Sequence, residues 1–378
     1  MSQDIDNSIT FIGRTNFRNE QRLFGIRRAD RRAHMYIIGK TGTGKSTLLE
    51  TLIRQDIRAG AGVLLIDPHG DLVERVLTQI PERRKGDLIY FNVPDSEAPL
   101  GFNPLEHVPP ASRPLAASGM LEAFKKLWAE FWGPRSEHIL SFEDRDFRRN
   151  AAGRVANPQV RNFWLREYEG YTARFRVEAI APIQNKVGAF LANPISQRIL
   201  TSEQSSFDLR QVMNEGKLLL VNLSKGRTGE DTVALIGALL VTKVGLAALS
   251  RAGLTENGRR DFYVYLDEFQ SFTTLSLANM LSELRKYRVG MVLAHQYLSQ
   301  LDPQVRDAIL GNAGTIISFR LGLTDARLLE KEFEPELLAI DLVGLPNYHI
   351  YLKLLTDGVA SRPFSAEAII PPRGIPIV

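Results

Sequence analysis

Short apolar segments alternate with longer segments of helical periodicity along most of the chain. The apolar segments that we predict to be strands span residues 35–38, 63–66, 88–91, 218–223, 262–266, 291–294 and 315–319, and a further extended piece covers 348–355. Strands separated by helical segments are typical of βαβ units. The pattern therefore predicts an α/β protein with a mostly parallel sheet.

The alternation stops between residues 102 and 205. This stretch begins with the proline-rich sequence GFNPLEHVPPASRP and continues with Leu, Ala, Phe, Trp and Arg at helical spacing. We therefore predict an all-α inserted domain at 102–205, within a core formed by 31–101 and 206–378 and preceded by an N-terminal leader, 1–30. The insertion holds all three tryptophans, which either pack in a core, as we favour, or stack on single-stranded nucleic acid. These are Trp128, Trp132 and Trp164.

One long apolar segment, 232–250, resembles a membrane span in length. It carries Lys243 near its middle, and a central lysine costs about 2.5–3.5 kcal/mol on insertion into a bilayer. The N-terminal sequence MSQDIDNSIT is polar and lacks the apolar region of a signal peptide. We therefore expect a buried helix here, no membrane segment in the chain, and a cytoplasmic protein.

Composition narrows the chemistry that the chain can perform. The 378 residues include no cysteine, which excludes disulfides, thiolate metal sites and cysteine nucleophiles, and the six histidines are scattered singly. A net charge of +4 does not by itself indicate a nucleic-acid surface, because phosphate binding needs clustered charge. The basic surplus lies in the leader and in the insertion.

The most specific motif is GKTGTGKST, which follows the first predicted strand and opens a helical segment. It contains the GxxxxGK[S/T] pattern of a phosphate-binding P-loop. Its glycines allow backbone N–H groups to point at phosphate oxygens, Lys45 should reach the β- and γ-phosphates, and the Ser46 hydroxyl should bind Mg²⁺. The residues predicted to bind the nucleotide are Gly39, Lys40, Thr41, Gly42, Thr43, Gly44, Lys45, Ser46 and Thr47.

A strand that ends in two acids lies in the sequence DFYVYLDEFQSF. Asp267 is placed to hold Mg²⁺, and Glu268 to polarise the attacking water as a general base. Two carboxylates leaving a buried strand are costly unless a cation or a reaction uses them. The pair favours hydrolysis over phosphoryl transfer to a small molecule. The alternative is a strand that simply ends in acidic turn residues.

The segment RKYRVGMVLAHQ is a further passage from a helix to a strand. At its end, Gln296 either contacts the γ-phosphate or the attacking water, or caps the next helix. At its start, Arg285 either reaches into the active site of a neighbouring subunit or is a solvated arginine at a helix end.

The loop in VLLIDPHGDLVERVL contains Asp67, His69 and Asp71. Their spacing fits a metal site, but it also fits a helix N-cap, and we favour Asp71 as the cap of the following helix. The sequence NKVG, which begins at Asn185, lacks the aspartate of a guanine-specific NKxD motif. A GTPase is therefore disfavoured.

The motifs GKTGTGKS, IDPHGD, YLDEFQ and RKYRVGMVLAHQ, in this order and at these spacings, resemble those of the HerA/FtsK superfamily of RecA-like motor ATPases. Within it the chain is most similar to the TraG/TraD-like coupling proteins of type IV secretion and conjugation. The likeness extends to GFNPL, LLLVNLSKG and GNAGTIISFRLG and so spans nearly the whole chain. It implies a RecA-like P-loop NTPase core that binds ATP and Mg²⁺.

The resemblance also implies how such a protein works. ATP would be hydrolysed between the subunits of a homo-hexameric ring, and single- or double-stranded DNA, or a relaxase–DNA complex, would be driven through its channel. Arg285 matches the arginine that acts in the neighbouring subunit, and Arg31 or Arg32 matches a second interface arginine. The positions that match the catalytic pattern are Lys45, Ser46, Asp267, Glu268 and Gln296.

Coupling proteins usually carry an N-terminal membrane anchor, which is not recognisable in this sequence. We therefore expect membrane association through a partner, either a relaxase or a secretion-channel protein. Two other functions stay open: a motor for protein secretion, pilus assembly or DNA-end processing with a nuclease, and a nucleotide-gated DNA-binding or assembly module. Glu268 and Gln296 argue against the module, which would not need them.

Overall fold

The computed structural model describes residues 9–370 except 17–20, 98–99, 105, 107, 110–111, 128–157, 173, 176–187 and 189–191. Its strands are β1 (Ile9–Thr15), β2 (Leu23–Arg27), β3 (Met35–Ile38), β4 (Gly62–Asp67), β5 (Leu88–Asn92), β6 (Leu218–Asn222), β7 (Phe262–Leu266), β8 (Val289–His295), β9 (Thr315–Ser318), β10 (His349–Lys353), β11 (Leu355–Thr356), β12 (Val359–Ala360) and β13 (Phe364–Ala368).

The α-helices fall between these strands. They are α1 (Arg28–Arg31), α2 (Lys45–Arg58), α3 (Asp71–Leu77), α4 (Arg113–Leu127), α5 (Pro158–Asn162), α6 (Pro194–Leu200), α7 (Leu209–Glu215), α8 (Lys225–Thr228), α9 (Glu230–Ser250), α10 (Leu275–Leu284), α11 (Pro303–Asn312), α12 (Leu323–Phe333) and α13 (Ala339–Val343). Shorter 3₁₀ turns include Phe269–Ser271 and Arg285–Tyr287, and Phe163–Glu167 is a π-helical turn.

Eleven strands form one sheet in the order β2-β1-β13-β10-β9-β3-β8-β7-β4-β6-β5. The strands from β9 to β5 in this order all run parallel, whereas β10, β13, β1 and β2 add an antiparallel extension. In a parallel sheet the carboxyl ends of the strands meet at one edge. The loops that follow β3, β4, β7 and β8 therefore meet in one place.

Both faces of the parallel sheet are buried. Along β4, Leu64 and Ile66 pack into one hydrophobic cluster with α9 and α10, while Val63 and Leu65 pack into the other with α2 and α3. This alternation follows from the two-residue period of a strand. The predicted α/β fold with a mostly parallel sheet is confirmed.

Helix α9 lies in the core. In the described part of the chain, the segment Glu230–Gly253 is the one helix long and apolar enough to cross a membrane, and 78% of its apolar window is buried inside the protein. Lys243 lies in this helix, and its ammonium group donates a hydrogen bond to the backbone carbonyl of Glu106. The prediction of a buried helix at 232–250 is confirmed.

The N-terminal segment differs from the predicted leader, 1–30, which is expected to lie outside the core. Strands β1 and β2 belong to the large sheet, and β1 pairs with β13 at the other end of the chain. The pairing partners lie about 350 residues apart, so neither strand shows the local βαβ alternation that marked the others. The predicted strand 348–355 is divided into β10 and β11.

In the segment predicted as an insertion, 102–205, the described residues form helices and turns and contain no strand. Its boundaries stay a prediction. The tryptophans Trp128 and Trp132 lie outside the described residues, and Trp164 lies in the π-helical turn, where its side chain is not described. Their packing therefore stays a prediction as well.

Candidate nucleotide-binding site

The P-loop connects the carboxyl end of β3 to the first turn of α2. Gly42 and Gly44 adopt positive φ angles of 77° and 119°, in a region that side chains disfavour. At Gly44 a Cβ atom would also lie 2.8 Å from Cδ1 of Tyr348. Glycine is thus required at position 44 for two independent reasons. The backbone N–H groups of the loop lie beside the N-terminus of α2, where an anion is favoured.

Neighbouring strands hold the P-loop in place. The Lys40 N–H donates to the Arg320 carbonyl just after β9 (2.9 Å), and the Tyr348 N–H donates to the Thr43 carbonyl (2.8 Å). The loop is therefore fixed by backbone hydrogen bonds to the segments after β9 and before β10.

The Lys45 side chain lies along the inner side of this loop. It is 6% exposed, and its Nζ donates to the Gly39 carbonyl at 2.6 Å. Burial lowers the pKa of Lys45, while Glu268 and Asp267 oppose this shift. The ammonium thus faces two carboxylates across the site.

The two acids that follow β7 are both buried. Asp267 is 6% exposed, and Glu268 is 7% exposed with a left-handed backbone at φ 45°. Burial, together with the nearby charges of Asp67 and Glu268, raises the pKa of Asp267 to about 7. Lys45 offsets only part of this effect, so the cluster carries an excess of negative charge and favours a cation.

Asp67, at the end of β4, is a third carboxylate of the site. Its Oδ2 accepts N–H bonds from Leu72 (2.8 Å) and Val73 (3.1 Å), so it caps α3 from four residues before the helix begins. The prediction that Asp71 is the cap is wrong, because Asp71 is the exposed first residue of the helix. Within the described residues no group of three or more His, Cys, Asp or Glu side chains forms a metal-binding cluster.

Gln296 follows β8 and bridges the P-loop and the acids. Its Oε1 accepts a hydrogen bond from the Thr41 hydroxyl at 2.7 Å, and its Nε2 donates to Oε1 of Glu268 at 2.5 Å. Oε2 of Glu268 accepts a second amide bond, from Nε2 of Gln270, at 2.7 Å. Gln296 therefore makes side-chain contacts in the site and does not cap a helix.

These groups enclose a cavity of about 320 Å³. Among the predicted residues it is lined by Thr41, Gly42, Gly44, Lys45, Ser46, Thr47, Asp267, Glu268 and Gln296. Gly39, Lys40 and Thr43 lie in the same loop but do not line the cavity; Gly39 and Thr43 are buried, whereas Lys40 is exposed. The lining is completed by residues that the sequence does not assign to nucleotide binding, namely Asp67, His69, Asp71, Leu72, Arg75 and Tyr348. Asp67 could have been found, since it ends a strand at the same sheet edge, but Tyr348 lies about 300 residues from the P-loop and gives no local signal.

Arg285 is not part of this cavity. It begins the exposed 3₁₀ turn before β8, whereas Gln296 follows the same strand. Seven strand residues at about 3.3 Å each separate the two ends by about 23 Å. Arg285 thus lies at the amino edge of the sheet, opposite the P-loop.

Arg31 is an internal residue, so its expected place at a subunit interface is wrong. Its side chain is 1% exposed and donates to both carboxylate oxygens of Asp56 and to the Tyr265 hydroxyl. Arg32 forms an ion pair with Asp261 at 2.8 Å and is 14% exposed. Of the two side chains, only that of Arg32 is partly accessible at the surface of the subunit.

Comparison with known sequences identifies two matching family profiles. The profile described as "Helicase HerA, central domain" matches residues 28–243. The profile described as "TraM recognition site of TraD and TraG" matches residues 261–331. Comparison with curated proteins gives no match.

Solved structures share the fold. The unbound bacterial conjugative coupling protein TrwBdeltaN70 superposes with a TM-score of 0.66 at 16% identity, over 98% of this chain and 90% of that one. VirB4 of Thermoanaerobacter pseudethanolicus gives 0.64 at 16% identity, over 97% and 98%. The plasmid coupling protein TrwB in complex with ADP and Mg²⁺ gives 0.60 at 18% identity, over 98% and 90%.

At these identities the structural likeness establishes the fold, which is that of a RecA-like P-loop NTPase. The family follows from the sequence, because the first profile covers more than half of the chain. The protein belongs to the HerA central-domain family, among the HerA/FtsK-type P-loop ATPases that resemble TraG and TraD.

Proposed function

We propose that the protein is a Mg²⁺-dependent ATPase that drives DNA through a homo-hexameric ring, as a coupling protein of conjugation or type IV secretion. The observation that carries the proposal is the convergence of Lys45, Asp267, Glu268 and Gln296 on one cavity, in a chain of the HerA central-domain family. A P-loop alone would support nucleotide binding; the acid and the amide beside it support hydrolysis.

The P-loop residues fit the triphosphate of ATP. Gly42 and Gly44 give the loop its open backbone, and Lys45 is buried at its inner side. An anion at the N-terminus of α2 would replace the Gly39 carbonyl as the partner of Lys45. The coupling protein TrwB has been solved with an ATP analogue and with ADP and Mg²⁺, which supports the same ligands here.

The acids fit a divalent cation. Asp267 is buried beside Asp67 and Glu268, and the raised pKa of Asp267 shows that its negative charge is poorly compensated. We assign Asp267 and the Ser46 hydroxyl as the residues that would hold Mg²⁺. The ion would supply charge neutralisation for the phosphate oxygens.

Glu268 is the residue that we assign as general base. Its carboxylate oxygens face Gln296 and Gln270 at the edge of the cavity, so it can accept the proton of a water that attacks the γ-phosphate. Gln296 is in contact with both Thr41 of the P-loop and Glu268. It can therefore orient that water and transmit the state of the phosphates.

Arg285 supports the ring. It is exposed at the sheet edge opposite its own P-loop, so it cannot reach the site of its own subunit; in a head-to-tail ring it would face the site of a neighbour. An arginine acting in this way contributes about 10³–10⁵ in rate. This position supports a head-to-tail ring.

DNA is the proposed cargo, and the helical insertion 102–205, between core segments 31–101 and 206–378, is a proposed separate domain. The match of residues 261–331 to the TraM recognition profile supports a relaxosome or secretion-channel protein as partner. Such a partner would bring the protein to the membrane.

The test is ATP hydrolysis measured without DNA, with single-stranded DNA and with duplex DNA, across a salt series. We expect Mg²⁺-dependent turnover that DNA stimulates, with stimulation falling steeply as salt rises because phosphate contacts release counterions. Glu268→Gln should bind ATP but not turn it over. Turnover that ignores both forms of DNA would contradict the DNA motor and favour a protein-secretion motor, whose cargo is not a polyanion.

A further inference from the structure

Both carboxylate oxygens of Glu268 are engaged by amide groups. Gln296 occupies Oε1 and Gln270 occupies Oε2, at 2.5 and 2.7 Å. Gln296 also contacts the P-loop, whereas the backbone carbonyl of Gln270 accepts a hydrogen bond from Lys126 of α4. The orientation of Glu268 is thus set from two sides.

The side chain of Gln270 makes no other hydrogen bond in the described part of the chain. Its Oε1 is buried without a hydrogen-bond partner, so the hydrogen bond to Glu268 is the one that this amide makes among the described residues. A glutamine that stabilised the local fold would be expected to satisfy both ends of its amide, because a buried unpaired oxygen is costly.

The backbone of Gln270 is held by the insertion. Nζ of Lys126, in the last turn of α4, donates to the Gln270 carbonyl at 2.5 Å. The ammonium group of Lys126 is largely removed from water at this contact, and this burial lowers the pKa of Lys126 to about 8. A cavity of about 270 Å³ lies beside it, lined by both residues.

Helix α4 packs on the core through its buried residues Ala116, Ala123 and Phe124, and it approaches α9 most closely at Gly119. A Cβ atom on Gly119 would lie 2.4 Å from Cγ2 of Thr242 in α9, so the two helices approach closely there. Lys126 lies two turns further along α4, where the chain continues into residues 128–157 of the insertion. Lys126 is the polar contact near the end of α4 that joins this helix to the 3₁₀ turn carrying Gln270.

We propose that Gln270 is a positioning residue for Glu268, and that Lys126 is the contact through which the helical insertion sets the position of Gln270. This rests on the proposed function, since Glu268 must be the general base. Misplacing a catalytic group by about 1 Å can cost up to a hundredfold in rate. Occupancy of the insertion by cargo would then act on hydrolysis through Lys126, Gln270 and Glu268.

The first experiment compares steady-state ATPase kinetics of Gln270→Ala with wild type. We expect kcat to fall about tenfold while KM for ATP changes less than twofold, because the amide orients the base and does not touch the nucleotide. Gln300→Ala is the matched control, since this exposed glutamine lines the same cavity without reaching Glu268. Gln270→Met keeps the length of the side chain and should show the same loss if the N–H donor is what matters.

The second experiment tests the link to the insertion. Lys126→Met should lower kcat about threefold, and Lys125→Met, a change at the exposed neighbour, should not. In the double variant Gln270→Ala/Lys126→Met, kcat should be no lower than in Gln270→Ala alone, because both changes act on one path. If the double variant instead loses kcat by the product of the two single losses, Lys126 does not act through Gln270.

The outcomes separate this inference from the proposed function. If wild type hydrolyses ATP and Glu268→Gln does not, the proposed function stands, and a normal kcat in both Gln270 variants overturns the inference alone. A wild-type protein without ATPase activity overturns both. Melting temperatures of all variants should match wild type within error, and a kcat loss that only follows a fall in melting temperature also counts against a positioning role.

Discussion

The Arg31–Asp56 pair joins three parts of the fold, and its removal should be one of the most damaging single changes outside the cavity. Arg31 precedes β3, Asp56 lies in the P-loop helix α2, and Tyr265 lies in β7, whose end carries the two acids. The two charged side chains are 1% and 4% exposed. The pair therefore holds the P-loop helix against the strand that carries Asp267.

The expected cost follows from this burial. Asp56→Ala leaves the Arg31 guanidinium without its carboxylate in a place that water does not reach, and Tyr265 loses its acceptor. Breaking a buried pair in this way costs about 3–5 kcal/mol. Arg27→Ala is the matched control, because Arg27 pairs with Asp357 where the two are 45% and 61% exposed, and an exposed pair is worth less than about 1 kcal/mol.

The assay is equilibrium urea unfolding of the purified protein. A loss of stability below about 1 kcal/mol in Asp56→Ala would contradict a buried Arg31–Asp56 pair that the fold depends on. The double variant Arg31→Met/Asp56→Leu should recover much of the loss, since it removes both charges. If Arg31 acted at a subunit interface instead, Arg31→Met would leave the stability of the monomer unchanged and impair only the assembled protein.

Three further predictions concern the site. Gly44→Ala should weaken binding of a fluorescent ADP analogue at least tenfold, because Cβ would meet Tyr348 at a positive φ angle; unchanged binding would contradict the geometry. The raised pKa of Asp267, about 7, means that this carboxyl keeps its proton in the folded state at pH values where it is ionised in the unfolded state. Without metal, the free energy of unfolding should therefore fall as the pH rises above about 4, and by about 2 kcal/mol between pH 5.5 and 8. Asp267→Asn should remove this slope in urea unfolding. Arg285→Ala mixed with Lys45→Ala should recover part of the ATPase activity that each lacks, and no recovery at any ratio would count against an arginine acting between subunits.

Local signals explain why much of the fold was predictable. The parallel strands are short apolar segments buried on both faces, and β3 and β7 begin and end where the sequence indicates. The edge of a parallel sheet then brings the P-loop, the acids after β7 and Gln296 together without further information. That is why the proposed active-site residues meet, with Arg285 apart from them.

The rest depended on contacts between distant segments. Tyr348 reaches Gly44 only because β10 pairs with β9, and β1 finds its partner β13 at the far end of the chain. Asp67 was expected in a loop beside a cap, yet it caps α3 itself and adds charge to the acids. The pattern of hydrophobic positions along the chain does not indicate which distant segments pair.

Translocation along DNA can be measured directly as displacement of streptavidin from the end of biotinylated single-stranded or duplex DNA, by wild type and by Glu268→Gln. We expect ATP- and Mg²⁺-dependent displacement from at least one of the two DNAs by wild type, and none by Glu268→Gln even though it binds ATP. Displacement that proceeds equally with Glu268→Gln, or wild-type ATP hydrolysis without displacement from either DNA, would contradict the proposed DNA motor.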